Sequence, residues 1–354
     1  APAETSGWRV TVPTWRPDLA RPIDLVEEVL RTRGYDAIGE RLMRVLPEHA
    51  EDRRRARSVR AIRAAATAAG LYECVSFSFL SRRELELARS GGDIVALANP
   101  LSEERSVMRT SLAPGLLAAL ARSERRGDAR ARTFELGRVY ERAPRPTPTD
   151  VPARERLVLA MLLAGPRGGM ALGTDAVDFL DGKGALESVT RSLRIETRCV
   201  RAEAPPHLHP RRSARVFCAD GTPLGTIGEV HPDVADAFGL STRPILVELD
   251  AELLVSRLEA AAVAKVAPLP RYPAVLRDLA VVVAEDVISG DVADALRAAS
   301  SGLAEAVELF DVYRGKPIPD GKKSLAFRVA YRDPEATLTD ERVQKAHAEL
   351  VAAA

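Results

Sequence analysis

Four carboxylates near the start of the chain have the types and the spacing to do chemistry. Asp24, Glu27 and Glu28 stand at i, i+3 and i+4, so a helix would put them on one face. Asp18 lies six residues upstream in a proline-flanked loop and can fold back on them. Carboxylates gathered in this way repel one another unless a hard cation sits between them, and Mg2+ prefers oxygen ligands. A second reading stays open. Asp24 can cap the helix with Glu27 as its capping-box partner, and acids in a first turn complement the helix dipole. No His or Lys accompanies the cluster, which counts against a hydrolytic two-metal site.

Other candidates are weaker. His207 and His209 have strand spacing and would share a face, but no third ligand joins them, and His231 lies far along the chain. They are expected to be exposed loop histidines beside Pro205, Pro206 and Pro210. Gly182-Lys183 is not a phosphate loop, because no Gly stands five before Gly182 and Gly184 replaces the Ser or Thr. Cys74, Cys199 and Cys218 show no CxxC spacing, so neither a disulfide scaffold nor a cysteine zinc site is expected.

Basic residues form two local groups. Arg53, Arg54, Arg55, Arg57, Arg60 and Arg63 crowd one predicted helix, as a phosphate-binding strip or as a solvated or partner-facing face. Arg314, Lys316, Lys322 and Lys323 flank a Gly315–Gly321 loop near the end. Residues 268–354 carry 11 Lys and Arg against 14 Asp and Glu, a net acidic balance that argues against general RNA affinity. Phe310, Tyr313, Phe327 and Tyr331 alternate on strands there; core packing is the expectation, base stacking the alternative.

The elements that position these residues follow from pattern. The 354 residues are 46% hydrophobic and 29% charged with a formal charge of +1, an ordinary balance for two or three domains. No apolar run is long enough for a transmembrane helix, and residues 1–20 hold no apolar signal segment. A strand is read at 8–13 and a helix at Asp24–Arg33 stopped by Gly34. Further readings are a polar linker at 40–52, a helix from Arg53 to Ala69 and a strand at 71–80. Strands return at 133–140, 157–163, 214–218 and 245–249. They are interrupted by a proline-rich loop after residue 140 and by a break at Ala267–Pro273. The last segment reads strand 278–283, helix 289–299, strand 307–313, strand 324–331 and helix 339–352. This β-α-β-β-α order is a ferredoxin-like pattern without its final strand.

Five strings in order resemble the β subunit of bacterial phenylalanyl-tRNA synthetase. They are Pro13-Thr-Trp-Arg-Pro-Asp18 with Asp24-Leu-Val-Glu-Glu28; Asn99-Pro-Leu-Ser-Glu-Glu104 with Met108-Arg-Thr-Ser-Leu112; Phe134-Glu-Leu-Gly-Arg-Val-Tyr140; Ile227-Gly-Glu-Val-His-Pro232; and Arg271-Tyr-Pro-Ala-Val-Leu-Arg-Asp278 with Glu308-Leu-Phe-Asp-Val-Tyr-Arg-Gly315. The resemblance implies an α+β chain in three pieces. Residues 1–46 would end a winged-helix-like domain. Residues 47–265 would be a class II synthetase-like antiparallel sheet with helices and without catalytic motifs. Residues 268–354 would be a ferredoxin-fold anticodon-binding domain. It also implies that the family's amino-terminal half, with its editing domain, and a closing strand beyond Ala354 are missing.

On this reading Asp18, Asp24, Glu27 and Glu28 hold a Mg2+ shared with a catalytic α subunit. That subunit uses ATP to attach phenylalanine to tRNA in a cytoplasmic α2β2 assembly, with no DNA and no membrane involved. Arg314, Lys316, Lys322 and Lys323 would touch tRNA. The chain alone would be inactive: Arg132 stands three before Glu135 rather than two, and no Gly-x-Gly-x-Gly-x-Glu-Arg string occurs. Pro210-Arg-Arg-Ser213 and Asp181-Gly-Lys-Gly184 depart from the family pattern, which leaves the roles of Arg211 and Gly182 open. The alternatives are a free-standing synthetase-like binding or regulatory module, and a Mg2+-dependent hydrolase built on the four acids.

Overall fold

The computed structural model describes residues 7–41, 53–143, 153–168, 175–261, 269–300 and 302–353. It divides into two compact units, Ala1–Ala261 and Ala262–Ala354. The linker expected at 40–52 and the proline-rich loop after residue 140 fall largely outside the described residues.

In the first unit, residues 8–13 pair with no neighbouring strand and the expected strand is absent. Helix α1 (Pro22–Arg33) starts on Pro22, whose missing N–H costs nothing in a first turn, and ends at Gly34 with φ +89°. Helix α2 (Arg54–Ala68) buries Ser58, Ile62, Ala65 and Ala66 at helical spacing. The apolar run after it yields only two short strands, β1 (Tyr72–Glu73) and β2 (Phe79–Leu80). Helix α3 (Arg82–Leu87) opens with a Ser81–Glu84 capping box. Then come β3 (Val107–Met108), α4 (Ala113–Glu124), β4 (Ala131–Arg142) and β5 (Ala153–Ala164). Asp178 caps α5 (Phe179–Ser192). The unit closes with β6 (Thr197–Val200), β7 (Leu208–Cys218), β8 (Pro223–Val230), α6 (Pro232–Ala237), β9 (Ile245–Asp250) and α7 (Ala251–Ala260).

Seven strands form one sheet in the order β1-β4-β5-β9-β8-β7-β6, antiparallel except for β1 beside β4. Strand β5 lies inside the sheet between β4 and β9 and is buried on both faces from Val158 to Ala164, which is why that stretch reads as a continuous apolar run rather than an alternating one. One face packs Phe134, Met161 and Val247 against Ile62, Leu186 and Leu254 of α2, α5 and α7. The other packs Val139, Leu162 and Leu246 against Leu116, Leu117 and Leu120 of α4. Gly182 has a packing role: a Cβ there would run into Ile245 and push α5 off β9.

The second unit keeps the β-α-β-β-α order: β10 (Val275–Ala284), α8 (Ser289–Ala299), β11 (Ala304–Tyr313), β12 (Lys322–Tyr331) and α9 (Asp340–Ala353). Its sheet runs β10-β12-β11, fully antiparallel. Leu325, Phe327, Val329 and Tyr331 of β12 point into a core shared with Leu296 of α8 and Val343 and Leu350 of α9. The residues between them, Ala326, Arg328 and Ala330, lie on the opposite face.

Candidate functional site

The four amino-terminal carboxylates do not converge. Arg16 donates to Asp18 from Nε and Nη2 at 3.0 and 2.7 Å, and to Glu28 at 2.6 Å. Arg31 takes the other oxygen of Glu28 at 2.7 Å. These guanidinium hydrogen bonds hold Asp18 below the usual carboxylate range and push Glu28 down to about 2. Asp24 is not the cap that its position in the sequence predicts. The helix starts two residues earlier, and the Asp24 carboxylate turns back to accept from the backbone amides of Ala20 and Arg21 at 2.9 and 2.7 Å. Glu27 is exposed. Among the described residues no group of three or more His, Cys, Asp or Glu side chains stands close enough to hold a metal. A guanidinium occupies the place between Asp18 and Glu28 that a cation would need. The arrangement of this chain by itself does not fit a Mg2+ held by all four.

A buried polar network lies elsewhere, on the α4 face of the large sheet. Arg109 is 4% exposed and Glu135 2%. They pair at 2.6 Å. Arg109 also donates to Ser76 Oγ at 2.9 Å and to the Arg138 carbonyl at 2.8 Å, while Ser76 Oγ donates to Glu135 at 2.7 Å. The charge of Arg109 is thus met by a carboxylate, a hydroxyl and a carbonyl, as burial requires. Gly137 makes room for the guanidinium, since a Cβ there would collide with Arg109 Nη2, and Gly115 does the same for Ser76 Oγ.

This network inverts the segment Cys74-Val-Ser-Phe-Ser-Phe79. Ser76 faces inward, while Val75 is 90% exposed and Phe77 67%. Arg105 stacks on the outer face of Phe77 at 3.8 Å. A cavity of about 530 Å3 opens beside the segment, with Phe77, Phe79 and Leu116 among its walls. Alternation with polar residues in and large apolar residues out is the reverse of a solvent-facing strand.

Arg132 does not share the side of β4 that carries Glu135. Positions three apart on a strand fall on opposite faces. Arg132 instead donates to the carbonyls of Ala131, Ala164, Pro166 and Arg167 at 2.6–3.0 Å, and burial lowers its pKa.

The histidines are not all exposed. His207 is buried 3.7 Å from Glu248, whose other oxygen accepts from Ser111 Oγ at 2.8 Å and Leu112 N at 3.1 Å. Burial lowers the His207 pKa and Glu248 partly offsets it. The neighbouring prolines mislead here: β7 begins at Leu208 and includes Pro210, and His207 is buried immediately before it. His231 instead caps α6 by accepting from Asp233 N.

In the second unit the four basic candidates gather at one end of the sheet. Arg314 forks onto Glu285 at 2.8 and 3.0 Å. Lys323 donates to the Glu285 carbonyl at 2.8 Å, and Lys316 and Lys322 are exposed. Of the four aromatic residues, Phe327 and Tyr331 are buried as expected. Phe310 and Tyr313 are not: they are 53% and 47% exposed. Phe310 stands three residues from the core residue Val307 and so falls on the outer face, and a bulge between Leu309 and Asp311 turns Tyr313 to that face as well. Arg328 lies 5.1 Å from the Phe310 ring and is gripped by both oxygens of Asp278 at 2.9 Å. Cross-strand parity makes this pair legible only once the register is known, because Asp278 and Arg328 stand directly opposite.

Three family models match along the chain. The tRNA synthetase B5 domain covers residues 1–35, the phenylalanyl tRNA synthetase beta chain CLM domain 38–251, and the ferredoxin-fold anticodon binding domain 270–354. The chain belongs to the phenylalanyl-tRNA synthetase beta chain family. It is similar to the phenylalanine–tRNA ligase beta subunit of Anaeromyxobacter dehalogenans, 43% identical over 96% of this chain and 42% of that protein. The beta subunit of Syntrophotalea carbinolica is 39% identical over 97% of this chain and 43% of its own length. The chain thus spans about two fifths of these relatives. A solved pyrrolysyl tRNA synthetase of Desulfitobacterium hafniense overlaps 56% of this chain and 65% of its own at 15% identity and a TM-score of 0.43.

Proposed function

We propose that this chain is the non-catalytic part of the beta subunit of a phenylalanine–tRNA ligase. It braces an alpha subunit that uses ATP to attach phenylalanine to tRNA, in a cytoplasmic assembly of two copies each, and its second unit holds the tRNA. The observation that carries the reading is the inverted segment 74–79. Its Arg109–Glu135 network sits inside and Val75 and Phe77 face out, as a surface built for an obligate partner would. The chemistry of activation stays with the partner, because Arg132 is committed to carbonyls on the face away from Glu135. We assign residues 1–46 to the end of a winged-helix-like domain, 47–265 to a synthetase-like core and 268–354 to the anticodon-binding domain.

For tRNA, the exposed Phe310 and Tyr313 and the cations Lys316, in the loop, and Lys322, at the start of β12, supply a stacking surface with a basic end. Arg314 and Lys323 brace that end through Glu285. The Mg2+ assignment to Asp18, Asp24, Glu27 and Glu28 rests on the resemblance, and it requires Arg16 to release Asp18 and Glu28 when the alpha subunit is present. Calorimetric Mg2+ titration of the complex and of its Asp18→Asn variant tests it; equal binding by both removes the assignment.

The test of the main reading is co-purification with the alpha subunit of the same genome, with mass measured in solution. Phe77→Asp is expected to abolish the complex while the beta chain keeps its own thermal transition. A Phe77→Asp chain that still assembles and supports charging defeats the reading.

A further inference from the structure

The second unit pairs away nearly all of its arginine charge. Among the described residues Arg277, Arg297, Arg314, Arg328, Arg332 and Arg342 each meet a carboxylate within 3.7 Å, six of the unit's seven arginines. Two of these pairs occupy the proposed tRNA surface. Arg328 lies between Asp278 and Glu308, its direct neighbours on β10 and β11, so a row of acid, base and acid crosses the sheet next to Phe310. Glu285 holds Arg314 at the end of the same sheet, and its backbone N–H donates to Gly321 O while its carbonyl accepts Lys323 Nζ. A surface meant to capture phosphates would leave its guanidinium groups free, because each phosphate neutralised releases counterions and adds to affinity for any polyanion. Here the aromatic residues are open and the guanidinium groups are closed.

We propose that Asp278 and Glu285 are specificity-determining residues. By neutralising Arg328 and Arg314 they suppress sequence-independent binding to the RNA backbone. What remains is recognition of unstacked bases on the sheet, with Lys316 and Lys322 orienting the backbone at one end. The inference rests on the tRNA-binding part of the reading above and gives it a mechanism of discrimination: the wrong RNA is rejected because it finds stacking surface only when its bases are presented, and finds little free charge otherwise. Such a device suits an acidic unit whose ligand class, tRNA, shares one backbone across all its members.

The experiment uses the alpha–beta complex and follows binding of a phenylalanine tRNA transcript and of a tRNA with an unrelated anticodon across a KCl series. Asp278→Asn and Glu285→Gln are each expected to steepen the slope of log affinity against log salt by roughly 0.7–0.9, the effect of neutralising one more phosphate. Affinity for the unrelated tRNA rises several-fold and the preference for the phenylalanine tRNA falls. The double variant Asp278→Asn with Arg328→Gln is expected to return to the wild-type slope, which a merely structural role for Asp278 would not produce. Wild-type binding with unchanged slopes and unchanged preference in both single variants overturns this inference alone. A wild-type complex that binds neither tRNA overturns the functional reading and the inference together.

Discussion

In the first unit Arg109 is sealed under α4 and divides its donors among Glu135, Ser76 and the Arg138 carbonyl. In the second, Arg328 and Arg314 lie in water, each forked onto one carboxylate. The chemistry of the pairs is the same and their work differs. A buried pair has no alternative partner, so it dictates geometry: it turns Ser76 inward and leaves Val75 and Phe77 outside. A surface pair is screened and exchangeable, so it contributes little to the fold and instead sets the charge that a polyanion meets.

The largest effect separating the two regions is expected from Glu135→Ala. It leaves the Arg109 guanidinium buried without a counter-charge, a loss of about 3–5 kcal/mol. Urea unfolding of the wild type and the variant measures it directly. A loss below about 1 kcal/mol would put the pair in the surface class and dissolve the contrast.

Gly137→Ala comes next. The added methyl must displace a guanidinium that hydrogen bonds to Glu135, Ser76 and the Arg138 carbonyl hold in place, and it would also crowd Leu112. Overpacking of this kind costs roughly 1–3 kcal/mol. The same variant is expected to weaken assembly with the alpha subunit, since any shift of Arg109 moves Ser76 and with it Phe77. Full stability in Gly137→Ala would mean that Arg109 has slack that the geometry does not show.

Much of the fold was legible in the sequence. The β-α-β-β-α order of the second unit followed from apolar alternation, and the end of α1 followed from Gly34. Helices α5 and α7 were not read, because their apolar faces lie between strands whose own patterns are continuous rather than alternating. The acids at 18–28 were legible as residue types, but a sequence gives no hint that Arg16 would sit between two of them. Which carboxylate pairs with Arg109 was not legible for a related reason. Arg109 and Glu135 are 26 residues apart, and only the pairing of β1 with β4 and the packing of α4 bring Ser76 between them. Tyr313 was misplaced by a single bulge, which no two-residue period can anticipate.

Glu124 offers an intermediate case. Burial pushes its pKa up, but the hydroxyl and amide donors of Thr242 and Ser241 outweigh that and hold it below the ordinary value of 4.5. A depressed carboxylate stabilises the fold fully above its unfolded pKa and loses that contribution as pH falls through the folded one. Glu124→Gln is therefore expected to cost about 1 kcal/mol at neutral pH, discounted for its partial exposure. The difference from wild type should shrink below pH 4.5, where the wild-type carboxylate also takes up its proton. A gap that stays constant into acid would mean that Glu124 is held by packing rather than by its charge.

The smallest expected effect is on stability in Asp278→Asn, and it sharpens the comparison most. Asp278 and Arg328 have ideal forked geometry, yet both side chains are about half exposed, at 49% and 48%. An amide at position 278 keeps one acceptor for Arg328 and adds no buried charge. Thermal midpoints of Asp278→Asn, Arg328→Gln and the double variant should coincide with the wild type within error, at low salt as well as high. Geometry alone would rank this pair beside Arg109–Glu135, since both have short, well-directed hydrogen bonds. Burial ranks them apart, because water around Asp278 and Arg328 replaces every bond that the substitution removes. If Asp278→Asn lowered the midpoint as far as Gly137→Ala does, the surface pairs of the second unit would be structural, and their effect on RNA affinity would have to be read through the fold rather than through charge.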